Sequence, residues 1–481
     1  MIRQLAPFLL TLWAAPLTAH PHVFIDTQLA LVADDQGQLT HVRVTWQYDA
    51  LYSLLVTEDM GLDADGDGTL TKAELAALNG FDMRWVDGFN GDLVVSTAAA
   101  NIPLSGPSEI ATQFDAGQIT TSHLRALETP VSAGTAITIK PYDATYYTAY
   151  DITTKIDIAQ APSCRARVEM PNVSATMEAL QQQLAQLDAQ SDPANAGLWW
   201  TGGFDQLAQW AATHQREFQN SIALSLRAVR AGQPEAVTAL LSACFAYGVV
   251  HAAGPGHGKV LIGGYGAAKA VPMLRLSVIA LLSSLGQAVT AVALVYTGVT
   301  LLQLGRERMI SLTEAIMAPV SYGAIACVGL WLFWRGLRHF RATMPASQGD
   351  HDHSHDHDGI CATCGHAHGP TAEQVQNATS LRETLVLIAS IAIRPCTGAL
   401  FVLIITLQMG IAGVGIAGAF AMAFGTATIT IAVGLGAGAL RGGVLAGWAS
   451  VPRAAQIAAV IELAAGLCVA LLAGGLLLRS L

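Results

Sequence analysis

Charge is scarce in this chain. Asp, Glu, Lys and Arg make up 12% of its 481 residues, about half the share usual in a soluble protein. A fully solvated globular surface cannot be built from so little charge, and the mean hydropathy of +0.43 agrees. The shortage is uneven. Residues 20–170 carry twenty Asp and Glu against eight Lys and Arg, a balance of −12. That front part attracts cations and makes nucleic acid an unfavourable partner. Cysteine is nearly missing there too: Cys164 stands alone before residue 234, which excludes an internal disulfide framework. Beyond residue 234 the missing groups are acids. Asp and Glu are nearly absent from the apolar runs, apart from Glu314 and Glu462 near predicted ends. A cation crossing those runs has His, Cys, Thr and backbone carbonyls to bind it.

What is present divides the chain. Residues 1–19 read as a secretory signal, with Arg3 at the positive end, an apolar stretch from Leu5 to Leu17, and Ala19 before the cut. Leu17 is bulky for its place near that cut, and an uncleaved anchor is the alternative. Residues 20–170 alternate apolar and polar side chains between Gly, Asp and Pro breaks, which predicts a β-rich domain with one helical insert near 51–78. Residues 171–234 are Gln-rich and helical in pattern, with Trp199, Trp200, Trp210 and Phe218 among polar residues. Such aromatics suit either a membrane–water interface or a linker helix packed on the soluble domain. Six apolar runs then follow within 235–481, each long enough to cross about 30 Å of hydrocarbon. A polar segment, 338–381, separates the third from the fourth. The expected fold is multi-domain: an N-terminal β-rich (α+β) periplasmic domain with an EF-hand-like insert, then an all-α polytopic membrane bundle of about six transmembrane helices.

Basic residues orient the bundle. With the front domain exported, the loops after spans one, three and five face the cytoplasm. They hold Lys259, Lys269 and Arg275; Arg335, Arg338 and Arg341; and Arg441 and Arg453. Arg306 and Arg308 after span two are the exception.

Five stretches carry candidate chemistry. "DADGDGTLTKAE" matches the calcium loop D-x-D-x-D-G-x5-E, with Asp63, Asp65, Asp67, Thr69, Thr71 and Glu74 as ligands and Gly68 at the turn. An acidic solvated turn is the bland alternative; a lone exported loop of this kind stabilises structure rather than sensing a signal. "HPHVF" puts His20 at the amino terminus after cleavage, so its amine and imidazole, with His22, could chelate a transition metal. Two ordinary exposed histidines are the alternative there.

"HDHSHDHDGICATCGHAH" concentrates imidazole and thiolate. His351, His353, His355 and His357 alternate with acidic residues, and Cys361, Cys364, His366 and His368 could form one four-ligand site. Its basic flank places this loop in the cytoplasm. "HAAGPGHGKV" looks at first like a phosphate loop, but Ala253 stands where the first glycine belongs and Val260 where Ser or Thr belongs. The run before it is a membrane span, not a strand, so no nucleotide is expected. His251 and His257 instead flank Gly254, Pro255 and Gly256, a break in a membrane helix, with Lys259 marking the cytoplasmic side. A capped helix end with incidental histidines is the alternative. In "IRPCTG", Arg394 falls near the centre of span four, Pro395 opens the helix, and Cys396 and Thr397 offer a soft ligand and a hydroxyl.

"FAYGVVHAAGPGHGK", six spans, a His-rich loop after the third and a Pro-Cys in the fourth together resemble the NicO-type nickel/cobalt exporters, from about Ala236 to the C-terminus. "AHPHVFID" resembles a periplasmic domain of unknown function that accompanies such exporters. The resemblance implies a multi-pass protein of a bacterial inner membrane that exports Ni²⁺ or Co²⁺, with His251, Gly256, His257 and Lys259 in the path. The partners implied are the lipid bilayer and transition-metal ions. The calcium loop is not part of that pattern. No H-E-x-x-H or comparable acid–base pair suggests an enzyme. An importer of the same metals, and a metal-sensing or metal-chaperone membrane protein without transport, stay open, because no residue encodes direction.

Overall fold

The computed structural model describes residues 22–64, 67–85, 88–132, 134–143, 147–152, 156–161, 164–168, 201–253, 257–269, 271–342, 381–447 and 454–480. These form two compact units. One ends at Ala253 and takes back Phe401–Ala421; the other runs from His257 to Leu400 and from Met422 to Ser480.

The first unit is built on a sheet. β1 (Val23–Ala33) and β2 (Leu39–Tyr48) pair antiparallel. Asp34 closes their turn by accepting the Gln36 and Gln38 amides at 2.9 and 2.8 Å. A second hairpin joins β5 (Ser108–Asp115) to β6 (Gln118–Val131). Its Ala116 and Gly117 have φ of 47° and 76°, the two left-handed residues that a tight hairpin matching strand twist requires. The order is β5-β6-β2-β1-β8, where β8 (Thr148–Ile152) and β9 (Asp157–Gln160) both run parallel to β1. Alternation in β2 buries Val42, Val44, Trp46 and Tyr48 on one face. A smaller sheet orders β4 (Asn101–Ile102), β3 (Leu93–Thr97) and β7 (Ile137–Pro141).

The helical insert is α1 (Ala50–Asp59) and α2 (Lys72–Leu78). Buried Asp49 caps α1, accepting the amides of Leu51 and Tyr52 and, across the chain, that of Phe24. One carboxylate thereby ties the start of β1 to the start of the helix. Leu51, Leu54, Leu55 and Val56 are then fully covered, worth about 1.5–3 kcal/mol each.

The helix α3 (Thr201–Arg230) packs on this domain, and Trp199 and Trp200 of the aromatic pattern lie outside the described residues. Arg216 pairs with Asp26 and Asp151, Asn220 accepts the Ala50 amide, Arg227 donates to the Gly117 carbonyl, and Arg230 pairs with Glu58. It packs in turn along α4 (Ala236–Ala253), the first apolar run.

The other helices are α5 (His257–Ala268), α6 (Met273–Tyr296), α7 (Arg306–Leu312), α8 (Ala318–Ala342), α9 (Leu381–Ala392), α10 (Thr397–Gln408), α11 (Ala412–Gly447) and α12 (Ala454–Ser480). Among the described residues, five helices are long and apolar enough to cross a membrane, or six when α9 and α10, bent by 60° at the Arg394–Pro395 break, count as one span. Leu274, Val278, Leu282, Val289, Leu330 and Phe424 point outward, as lipid-facing side chains do. Glycines bring α8 and α12 close: a Cβ on Gly329 would stand 2.5 Å from the Ala470 nitrogen, and one on Gly466 2.3 Å from the Phe333 nitrogen. Small residues at such contacts let membrane helices meet backbone to backbone. At the far end of α8, Arg335 and Arg338 lie over Trp331 and Trp334 at 4.8 and 5.0 Å, an arrangement suited to the headgroup layer.

Candidate functional site

His251 occupies the last turn of α4, and its ring stacks on Tyr247 one turn earlier, with centroids 5.6 Å apart and planes at 11°. Tyr247 is itself fully buried, so the imidazole leans on a fixed surface. α4 is described to Ala253 and α5 from His257, so the expected Gly-Pro-Gly break falls outside the described residues. Gly254, Pro255, Gly256 and the His257 side chain lie outside the described residues. Lys259 sits in the first turn of α5.

His22 is brought beside His251, which the sequence did not reveal: the ring centroids are 6.0 Å apart, tilted by 36°. The His22 amide donates to the Tyr147 carbonyl at 2.8 Å, and the His22 carbonyl accepts from Gln219 Nε2 at 3.2 Å. Its ring packs on Tyr147 at 5.4 Å. The expected partner of His22, His20, lies outside the described residues. No signal in the spacing links residues 22 and 251; only the packing of α3 on the domain and of α4 along α3 does.

Span four breaks where Pro395 was expected to open the helix. α9 ends at Ala392, residues 393–396 turn, and α10 begins at Thr397. Thr397 is buried and Cys396 half-buried. Arg394 is buried, and its cost is met by Glu314, 2.9 Å away, and by the Tyr322 hydroxyl, which accepts a hydrogen bond. The guanidinium also lies 5.2 Å from the Tyr322 ring centre. Glu314 sits in a π-helical turn, Thr313–Met317, that joins α7 to α8. The rare acid and the costly base of the apolar runs are therefore partners, a match that their opposite charges alone could have suggested.

A second ion-pair network gathers where helix ends were expected to share one face. Glu383 accepts from Lys269 at 3.2 Å and from the Tyr265 hydroxyl, and Arg335 stands 3.7 Å from it. Arg335 also pairs with Glu462, which His339 approaches at 3.0 Å. Lys269, ten residues beyond Lys259, thus marks the charged end of α5.

The acidic loop has part of the expected geometry. Gly68 has φ 79°, and its amide donates to Asp63 Oδ1 at 3.1 Å. Glu74 accepts the Asp63 amide at 3.1 Å and the Thr71 amide at 2.8 Å, the latter within a capping box. The Thr69 hydroxyl and amide hold the Asp67 carboxyl below the usual range, and Thr71 does the same to Glu74, so both are ionised at neutral pH. Asp65 is outside the described residues. So are His351, His353, His355, His357, Cys361, Cys364, His366 and His368. Among the described residues no group of three His, Cys, Asp or Glu is placed to hold a metal.

Long apolar helices, one of them sharply broken around a buried Arg–Glu pair, together with an appended β-rich domain, define a polytopic membrane protein. The chain belongs to the NicO family, described as "High-affinity nickel-transport protein", whose profile matches residues 237–360 and 346–481. Residues 5–223 match a second family, DUF1007, described as a protein of unknown function. A protein of Haemophilus influenzae described as "Putative nickel/cobalt efflux system" is 30% identical over 224 residues, 44% of this chain and 68% of that one. No solved structure matches the chain.

Proposed function

We propose that this protein exports Ni²⁺ and Co²⁺ across a bacterial inner membrane as a secondary transporter, with its front domain in the periplasm and its His-rich loop in the cytoplasm. The observation that carries the reading is the 60° break of the fourth apolar run at Arg394–Cys396, and the Gly-Pro-Gly stretch after the first run, beside His251, is the proposed second break. Broken membrane helices are where transporters expose carbonyls and side chains to an ion at membrane depth. Imidazole and thiolate are the donors that Ni²⁺ and Co²⁺ prefer. Direction draws support from the efflux description of the Haemophilus influenzae relative.

In this reading the cytoplasmic loop captures excess ion on His351–His357 and the Cys361–His368 set. His251 and His257 pass it through the first break, along a path that Cys396 and Thr397 line. Glu314 neutralises Arg394, so the second break presents no bare positive charge to the cation. No nucleotide motif is present, which leaves the membrane potential or a coupled cation as the drive. Ca²⁺ on the Asp63–Glu74 loop would brace the front domain and stay apart from transport.

Replacing His251 by Ala should raise nickel content in cells exposed to Ni²⁺ and abolish the tolerance that the intact gene confers. Unchanged tolerance would remove His251 from the path. Nickel content that falls on deleting the gene would reverse the direction to import.

A further inference from the structure

We infer that His22 and His251 together form a transition-metal transfer site, where the ion passes between the membrane path and the N-terminal domain. The inference rests on the nickel and cobalt transport proposed above and adds a place and a partner domain to it. With metal–nitrogen bonds of about 2.1 Å, a bound ion lies about 3.2 Å from each imidazole centre. Two rings sharing one ion then stand about 5.2 Å apart at a tetrahedral angle and about 6.4 Å apart when opposed. The observed 6.0 Å falls between these limits. Neither ring is adrift: Tyr247 backs one and Tyr147 the other, and the His22 backbone is pinned on both sides by Tyr147 and Gln219.

The two histidines come from parts of the chain with different tasks. His22 immediately precedes β1 of the acidic domain, and His251 lies in the last turn of the first apolar helix. Charge bias alone would set His251 at the cytoplasmic mouth. The Lys269–Glu383–Arg335 network, however, lies at the far end of α5, whose 12 residues span about 18 Å of helix. His257 opens α5 a helix length from that charged end, and the neighbour of His251 is the N-terminal domain. Among the described residues no third His, Cys, Asp or Glu joins the pair. Two imidazoles bind a divalent ion loosely, which suits a site that must release what it receives. The excess of acids in residues 20–170 then gives the ion a favourable field to leave into.

The test maps the ligands directly. Full-length protein in nanodiscs is exposed to Cu²⁺ and ascorbate, which oxidise the histidines holding the metal, and peptides are read by mass spectrometry. Oxidation of both His22 and His251, suppressed by excess Ni²⁺ or Co²⁺, is expected. His22→Gln should abolish it at His251, and His251→Gln should abolish it at His22. Oxidation of neither, or of His251 undiminished in His22→Gln, overturns the site. In proteoliposomes each single variant should lower Ni²⁺ flux at least tenfold, and the double variant no further; flux unaffected by His22→Gln also overturns it. If the unaltered protein carries neither ion, the transport reading fails, while the oxidation map still decides the site.

Discussion

His123 lies in β6 with its ring edge against Trp46 at 4.9 Å and against Trp85 at 5.7 Å. Both ring nitrogens are buried without a hydrogen-bond partner among the described residues. Burial, helped by Arg125 and Arg43, pushes its pKa down to about 4. A depressed histidine contributes stability above its unfolded value of about 6.5, and that stability is lost as pH falls toward 4. Asp49 acts the other way, because burial raises it to about 6 despite three backbone amides; its penalty eases as the solution acidifies. Comparing the protein with His123→Leu isolates the histidine, since Asp49 contributes to both. Between pH 7 and pH 5 the stability difference should shift by about 2 kcal/mol in favour of the variant. Hydrogen exchange of residues 39–48 and 118–131, corrected for intrinsic rates, reads it; a pH-independent difference would show that His123 finds a proton in the fold.

Among elements, the α8–α12 contact depends on side chains that are missing. Gly466→Ala would set a Cβ against the Phe333 backbone, which cannot rotate away as a side chain would. Overpacking of this kind costs about 1–3 kcal/mol, so thermal unfolding in detergent should occur at a clearly lower temperature. Gly474→Ala, on the same helix with nothing within 4 Å, is the control; it should leave the midpoint unchanged or raise it slightly through helix propensity. Equal losses in the two variants would mean that the helices do not meet at Gly466. The break between α9 and α10 has a different cause. Pro395 forbids a continuous helix there, and burying Arg394 beside Glu314 and Tyr322 holds the turn.

For the whole molecule, the proposed export predicts that capture and conduction are separable. Replacing His351, His353, His355, His357, His366 and His368 by Asn should raise the cytoplasmic Ni²⁺ concentration needed for half-maximal export by roughly tenfold, because tethered ligands act as a high local concentration. The maximal rate should hold, since the proposed path leaves out the replaced residues. Flux from inverted vesicles against metal concentration measures both; a collapse of the maximal rate would put the loop in the path itself.

Composition and pattern by themselves determined the division into an acidic β-rich domain and an apolar helical part, the number of apolar runs, and the break in span four. Alternation, span length and proline act over a few neighbouring residues, so they can be read along the chain. The glycine at the Gly68 turn was legible for the same reason. Only the tertiary structure decided which distant groups meet: Arg394 with Glu314, Lys269 and Arg335 with Glu383, α3 with the sheet, and His22 with His251. Residues 22 and 251 share no local periodicity. Their meeting depends on how α3 folds back along β1 and how α4 returns beside α3, a matter of packing that no short window of sequence contains.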